Sequence, residues 1–245
     1  MLGLKQGSSL LWWMILLLSV IFILGGNGVS WWQAPGIKAL RERVTNLEDT
    51  LQRTQQDYLD LARQTEQNYF ELFKHQLSLL ANTDLHFTDT ERISVYKHDG
   101  EAFVMLGRYS KNPDYDKRGR GLYPDDEGVI GHAWHHGEAA DDDLPDYGAV
   151  PDDYLEYTRS KWGITEEATR NFTMKSRNYA AFALEHPVRL ERVAVVVFES
   201  TKVGKLTVEV LRRALETTEG KRIYQFLDMM QSIEPTPSYA RSEGF

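Results

Sequence analysis

Apolar residues run along this chain in three successive textures. The first is an unbroken stretch, LLWWMILLLSVIFILGGNGVSWW at residues 10–32, which holds no charged residue. From Trp13 to Trp32 a helix would rise about 28 Å, close to the hydrocarbon thickness of a bilayer, with a Trp pair where each headgroup layer lies. The pattern predicts a transmembrane helix over residues 10–32 after a short tail at 1–9. A cleaved signal peptide is the competing reading: Lys5 as its basic part, residues 10–24 as its apolar part, small residues around Gly28 and Ser30 before the cut. Gly25, Gly26, Asn27 and Gly28 also weaken a uniform span. Lys38, Arg41 and Arg43 follow the stretch, whereas only Lys5 and the terminal amine precede it. The positive-inside bias then makes this a single-pass protein of the cell inner membrane with its C-terminal domain in the cytoplasm.

The second texture begins after Pro35 and Gly36. Ile37, Leu40, Val44, Leu47, Leu51, Tyr58 and Leu61 recur at alternating spacings of three and four, which predicts a coiled-coil rod over residues 37–68. Thr54 and Thr65 fall on the same register and loosen the seam. A stripe of this length asks for a partner, so a parallel homodimer is expected; a single amphipathic helix lying on its own domain is the alternative. From Tyr69 the face widens to Tyr69, Phe70, Phe73, Leu77 and Leu80, suited to packing on a sheet.

The third texture has period two. Residues 91–97 and 102–110 alternate as two strands joined at His98, Asp99 and Gly100, where Asp-Gly signals a hairpin turn. Further strands are expected at 179–184 and at 192–199, RVAVVVFE. Thr165 can cap a helix whose first turn carries Glu166 and Glu167. A closing helix at 206–233 lines up Val208, Leu211, Leu215, Ile223, Phe226, Leu227 and Met230, with a break near Gly220. The expected fold is α+β, an antiparallel sheet flanked by helices, occupying residues 69–233 before a flexible tail at 234–245.

Composition narrows the chemistry. The 245 residues carry a net charge of -8 without basic stripes, which sets nucleic acid aside as a partner. There is no cysteine, so disulfides, thiolate metal sites and thiol nucleophiles are excluded.

ERISVYKHDGEAFVMLGRYS, YPDDEGVIGHAWHHGEAADDD and SRNYAAFALEHPVRLERVAVVVFES together resemble a GAF domain, the small-molecule sensing module related in shape to PAS domains. The first stretch looks like the opening hairpin. The second is similar to the family's glycine turn, short helix and Gly before an acidic strand start, and the third looks like the final hairpin. The resemblance implies a sensory or regulatory protein that binds a small molecule or a partner. The Asn-Lys-Phe-Asp-Glu signature of cyclic-nucleotide-binding members is missing. The lack of cysteine rules out bilin attachment and the methionine-sulfoxide reductase activity of some relatives.

His132, His135 and His136 share a helix face ahead of Asp141, Asp142 and Asp143. That spacing suits a metal, but it equally describes a solvated helix end before an acidic turn, and no metal is expected. Gly128 lets the chain turn into this short helix and Gly131 allows close packing on the sheet, leaving Val129, Ile130 and Trp134 to face inward as a lid. A pocket is expected beneath it, bordered by the strand ending in Gly107, Arg108 and Tyr109 and by the basic loop KNPDYDKRGRGLYP. Arg108, Tyr109, Arg118, Arg120, Tyr123, Ile130, His132 and Trp134 are the candidate ligand-binding residues. The basic loop can receive an anion such as a carboxylate or phosphate, or simply offset nearby acids. No Gly-x-Ser-x-Gly elbow or Walker loop is present, no catalytic residue is proposed, and the chain is expected not to be an enzyme; no cofactor is identified. The leading expectation is a membrane-anchored sensor signalling through a dimeric rod without an output domain. A scaffold whose pocket is filled by Phe103, Tyr123, Trp134 and Phe182, or a ligand-triggered membrane effector in bacterial defence, are the alternatives.

Overall fold

The computed structural model describes residues 6–119, 121–186 and 191–229, with side chains left aside at 6–11, 24–35 and 229. The chain divides into two compact units, residues 1–62 and 63–245. A single helix, α1 (Gln6–Leu79), supplies all the described structure of the first unit and opens the second. Pro35 and Gly36, expected to punctuate the chain, lie inside it.

In the first unit the large apolar side chains from Trp12 to Ile23 are exposed. Among the described residues no helix is long and apolar enough to cross a membrane. The expected transmembrane helix therefore finds no support there, and the side chains of its second half, from residue 24, lie outside the described residues. Ile37, Leu40, Val44, Leu47, Leu51, Tyr58 and Leu61 are all exposed, as the seam residues of an unpaired coiled coil would be.

The second unit is built on a six-stranded antiparallel sheet. In chain order its elements are a π-helical turn at Leu80–Asp84, β1 (Glu91–His98), β2 (Ala102–Tyr109), β3 (Leu122–Pro124), α2 (Gly128–His136), β4 (Glu138–Asp141), α3 (Pro151–Trp162), α4 (Glu166–Arg170), β5 (Asn178–Glu185), β6 (Arg192–Ser200), α5 (Val208–Leu215) and α6 (Thr218–Met229). The strands stand in the order β3-β2-β1-β6-β5-β4. The expected hairpin turns where Gly100 takes φ 74°. RVAVVVFE becomes the inner strand β6, and its unbroken apolar run reflects burial on both faces: Val195 and Val197 point one way, Ala194, Val196 and Phe198 the other.

On one face Tyr69, Phe73, Leu77 and Leu80 join Leu211, Leu215, Ile223 and Leu227 over the strands, as the widened apolar stripe predicts. Each such side chain, fully buried, contributes about 1.5–3 kcal/mol relative to exposure. The approach is close: a Cβ on Gly107 would lie 2.4 Å from the Phe73 Cβ. The closing helix is divided into α5 and α6, and the break falls before Gly220, whose added Cβ would strike the Ala214 carbonyl oxygen. Residues 230–233 of the expected helix and the tail at 234–245 lie outside the described residues.

The other face carries α2, α3 and α4. Gly128 takes φ 75° to enter α2, as expected, and Gly137 ends it at φ 92°. Gly131 is packed on the Asp125 backbone rather than on the sheet: its Cβ would lie 2.5 Å from that carbonyl oxygen. Thr165 caps α4 by accepting a hydrogen bond from the Ala168 amide. Helix α3 is not anticipated by the strand-and-loop reading, although Pro151, Asp152, Asp153 and the αL residue Gly163 give it regular ends.

Candidate functional site

A cavity of about 620 Å³ lies between the second face of the sheet and helices α2, α3 and α4. Strand alternation sets its floor. Arg92, Ser94 and Tyr96 of β1 share a face, and so do Val195, Val197 and Glu199 of β6. Arg92 stands directly opposite Glu199, and Ser94 opposite Arg108 of β2.

Two buried guanidinium groups result, with different partners. Arg92 donates from Nε and Nη2 to the two carboxylate oxygens of Glu199, at 2.7 and 2.8 Å, and Ser176 Oγ donates to the same carboxylate at 3.2 Å. Among the described residues Arg108 has only neutral acceptors: Ser94 Oγ at 2.9 Å, the Lys117 carbonyl at 3.1 Å and the Tyr96 hydroxyl at 3.0 Å. Burial works against its charge, but the Tyr96 and Tyr123 phenols and the Glu199 carboxylate outweigh that and push its pKa above the ordinary guanidinium value. Tyr123 stands edge-on to Tyr96, ring centroids 4.9 Å apart.

The walls mix apolar side chains, Val129 and Ile130 from α2, Trp162 from α3, Ile164, Ala168 from α4, and Phe172, with polar ones, Glu127, Thr158, Thr165, Glu167, Asn171 and Thr173. The indole Nε1 of Trp162 is buried with no hydrogen-bond partner among the described residues. Arg118 borders the cavity, pairs with Glu66 of α1 and lies over the Phe70 ring. Deeper in, Tyr154 donates to the Ser176 carbonyl at 3.0 Å. Burial pushes the Tyr154 phenol up to about 12 and drives that of Tyr179 well above its usual value.

Of the residues singled out from sequence, Arg108, Arg118, Tyr123 and Ile130 line the cavity. Arg120 lies outside the described residues. Tyr109 belongs to the opposite face, where its hydroxyl accepts from Asn82 Nδ2. Trp134 stacks on His98 at 4.4 Å and stands edge-on to Phe103, away from the cavity lining. His132 sits against Trp162 without lining the cavity. Burial, then His136, His135 and Lys161, hold its imidazole below the usual range. Among the described residues no group of three or more His, Asp or Glu comes together as metal ligands. The acidic turn is not wholly solvated as expected: Asp141 is buried and accepts from Tyr157 and Lys161, while Asp142 and Asp143 are exposed. Of the side chains expected to fill the pocket in a scaffold, Tyr123 borders it, Phe103 and Trp134 pack beside it, and Phe182 faces the other core; the space remains open.

No protein-family model matches the chain, and no curated protein is matched by its sequence. Solved structures similar to it include GAF domains. One is from the Acinetobacter phosphoenolpyruvate-protein phosphotransferase, at 11% identity and TM-score 0.41, over 74% of this chain and 96% of that one. Another is from a Bacillus halodurans two-component sensor histidine kinase, at 9% identity and TM-score 0.43, over 64% and 94%. The arrangement itself is α+β, a six-stranded antiparallel sheet with helices on both faces. The type II free methionine-R-sulfoxide reductase of Thermoplasma acidophilum is also similar, at 7% identity and TM-score 0.43, over 66% and 96%. The expectation that this chain is not an enzyme is corrected: the solved structures similar to it include free methionine-R-sulfoxide reductases.

Proposed function

We propose that the second unit is a sensory domain that binds a small molecule in the cavity over Arg108, and that the chain relays this event as a membrane-anchored regulator. The observation that carries the reading is the cavity itself, of ligand-site size, lined by both apolar and polar side chains and floored by a buried cation. Arg118 supports a route outward, since it borders the cavity and touches Glu66 and Phe70 of α1. Occupancy favours one packing of α1 on the domain, a population shift passed along the helix. The charge-free stretch at residues 10–32 supports attachment to a membrane, and the exposed seam from Ile37 to Leu61 supports pairing with a second copy.

Thermal unfolding of the full chain with the small-molecule fraction of a cell extract tests the binding step. A raised Tm is expected, because a ligand bound to the native state alone stabilises it by mass action. The rise should vanish when Ala168→Trp and Thr173→Trp together fill the cavity. No rise, and no small molecule co-purifying with the chain, would sink the proposal.

A further inference from the structure

Resting on the reading that the cavity holds a small molecule, we infer that its ligand is a small organic monoacid whose carboxylate is seated on Arg108. A guanidinium carries five N–H groups in a planar fork. Arg108 spends the one on Nε on Ser94, one from Nη1 on the Lys117 carbonyl and one from Nη2 on the Tyr96 hydroxyl. Among the described residues one donor on each terminal nitrogen is left over, and a carboxylate has two oxygens to accept them. The three partners present are neutral, and among the described residues no carboxylate pairs with Arg108. A buried charge with no directly bonded anion is costly; Glu199, which favours the charge from a distance, is itself bonded to Arg92, and an anionic ligand supplies the direct partner.

The surroundings limit the ligand to one negative charge. Among the described residues the other guanidinium groups at the cavity, Arg92 and Arg118, already face Glu199 and Glu66. Glu127 and Glu167 also line it and disfavour a dianion such as a phosphate monoester. The rest of the ligand meets Ile130, Trp162, Ile164 and Phe172 beside the polar side chains of Thr158, Thr165, Asn171 and Thr173, so its body has an apolar part that the wall can cover.

The test is a ligand-observed NMR screen of the full chain against matched pairs, each a small carboxylic acid with an apolar body and its primary amide. Acids are expected to bind at least tenfold more tightly than their amides, and Arg108→Lys or Arg108→Gln to weaken the acids at least tenfold while leaving any amide unchanged. Either variant can lose stability, so the Tm of each is measured; the acid–amide contrast in the unaltered chain decides without them. Amides that bind as well as acids, both blocked by Ala168→Trp with Thr173→Trp, overturn the acid while the cavity reading stands. Inorganic phosphate displacing the acids at equal concentration overturns the carboxylate. No binding by any member of the panel, or binding indifferent to filling the cavity, overturns both.

Discussion

Arg92 and Glu199 face each other across β1 and β6, both under 10% exposed. Removing one member of such a pair strands the other, so Glu199→Leu should cost about 3–5 kcal/mol in urea unfolding. A loss under about 1 kcal/mol would mean that Arg92 finds water through the cavity. Tyr154 offers a pH test. Its phenol deprotonates near pH 10 in the unfolded chain but near 12 when folded. The stability it lends is complete below pH 10 and is lost as pH climbs toward 12. Tyr154→Phe should flatten that part of the alkaline unfolding curve and cost about 0.5–1.5 kcal/mol at neutral pH, for the hydrogen bond to Ser176. A third of these floor residues was legible. Arg108 and Tyr123 stood out by type and position, whereas Arg92, Tyr96, Tyr179 and Glu199 did not. Strand alternation assigns polar residues to a solvated face by default, and nothing in a local pattern announces that helices far along the chain will cover it.

At the level of elements, α4 is the most vulnerable wall. It has a single short stretch, Glu166–Arg170, and its start depends on the Thr165 hydroxyl. Thr165→Ala should cost about 1 kcal/mol and weaken ligand binding together with it, since Thr165, Glu167 and Ala168 line the cavity. Calorimetric Tm and affinity measured on the same variant check both, and a drop in stability with unchanged affinity would free α4 from any part in the site. Gly107→Ala should destabilise by about 1–3 kcal/mol, because β2 and α1 leave no room for a Cβ. The long strands were readable because turn chemistry and period-two patterning agree at Gly100 and along RVAVVVFE. Helix α3 was hidden: its buried Tyr154, Leu155, Thr158 and Trp162 are spread among Asp, Glu, Arg and Lys, and Thr158 breaks the apolar stripe. Thr158 is buried all the same, its hydroxyl bonded back to the Tyr154 and Leu155 carbonyls.

For the molecule as a whole, the exposed apolar seam of the first unit sets an expectation about copy number. Light scattering of the full chain in detergent should report a dimer, and Leu47→Glu with Leu51→Glu should yield a monomer of unchanged Tm for the second unit. A chain that is monomeric before substitution would remove the paired rod. The sheet order carries a separate consequence, for the way the domain assembles. Its two central strands, β1 and β6, pair Glu91 with Ser200 and Lys97 with Ala194, and every cavity-lining residue of α2, α3 and α4 lies in the chain between them. Closing a loop on the order of a hundred residues must precede that pairing, and the rate of folding falls as such distant contacts dominate. The hairpin β1–β2 can form early, but the binding site cannot exist before the last strand arrives. While the chain is being synthesised, the ligand-competent form should therefore emerge only once β6 has cleared the ribosome.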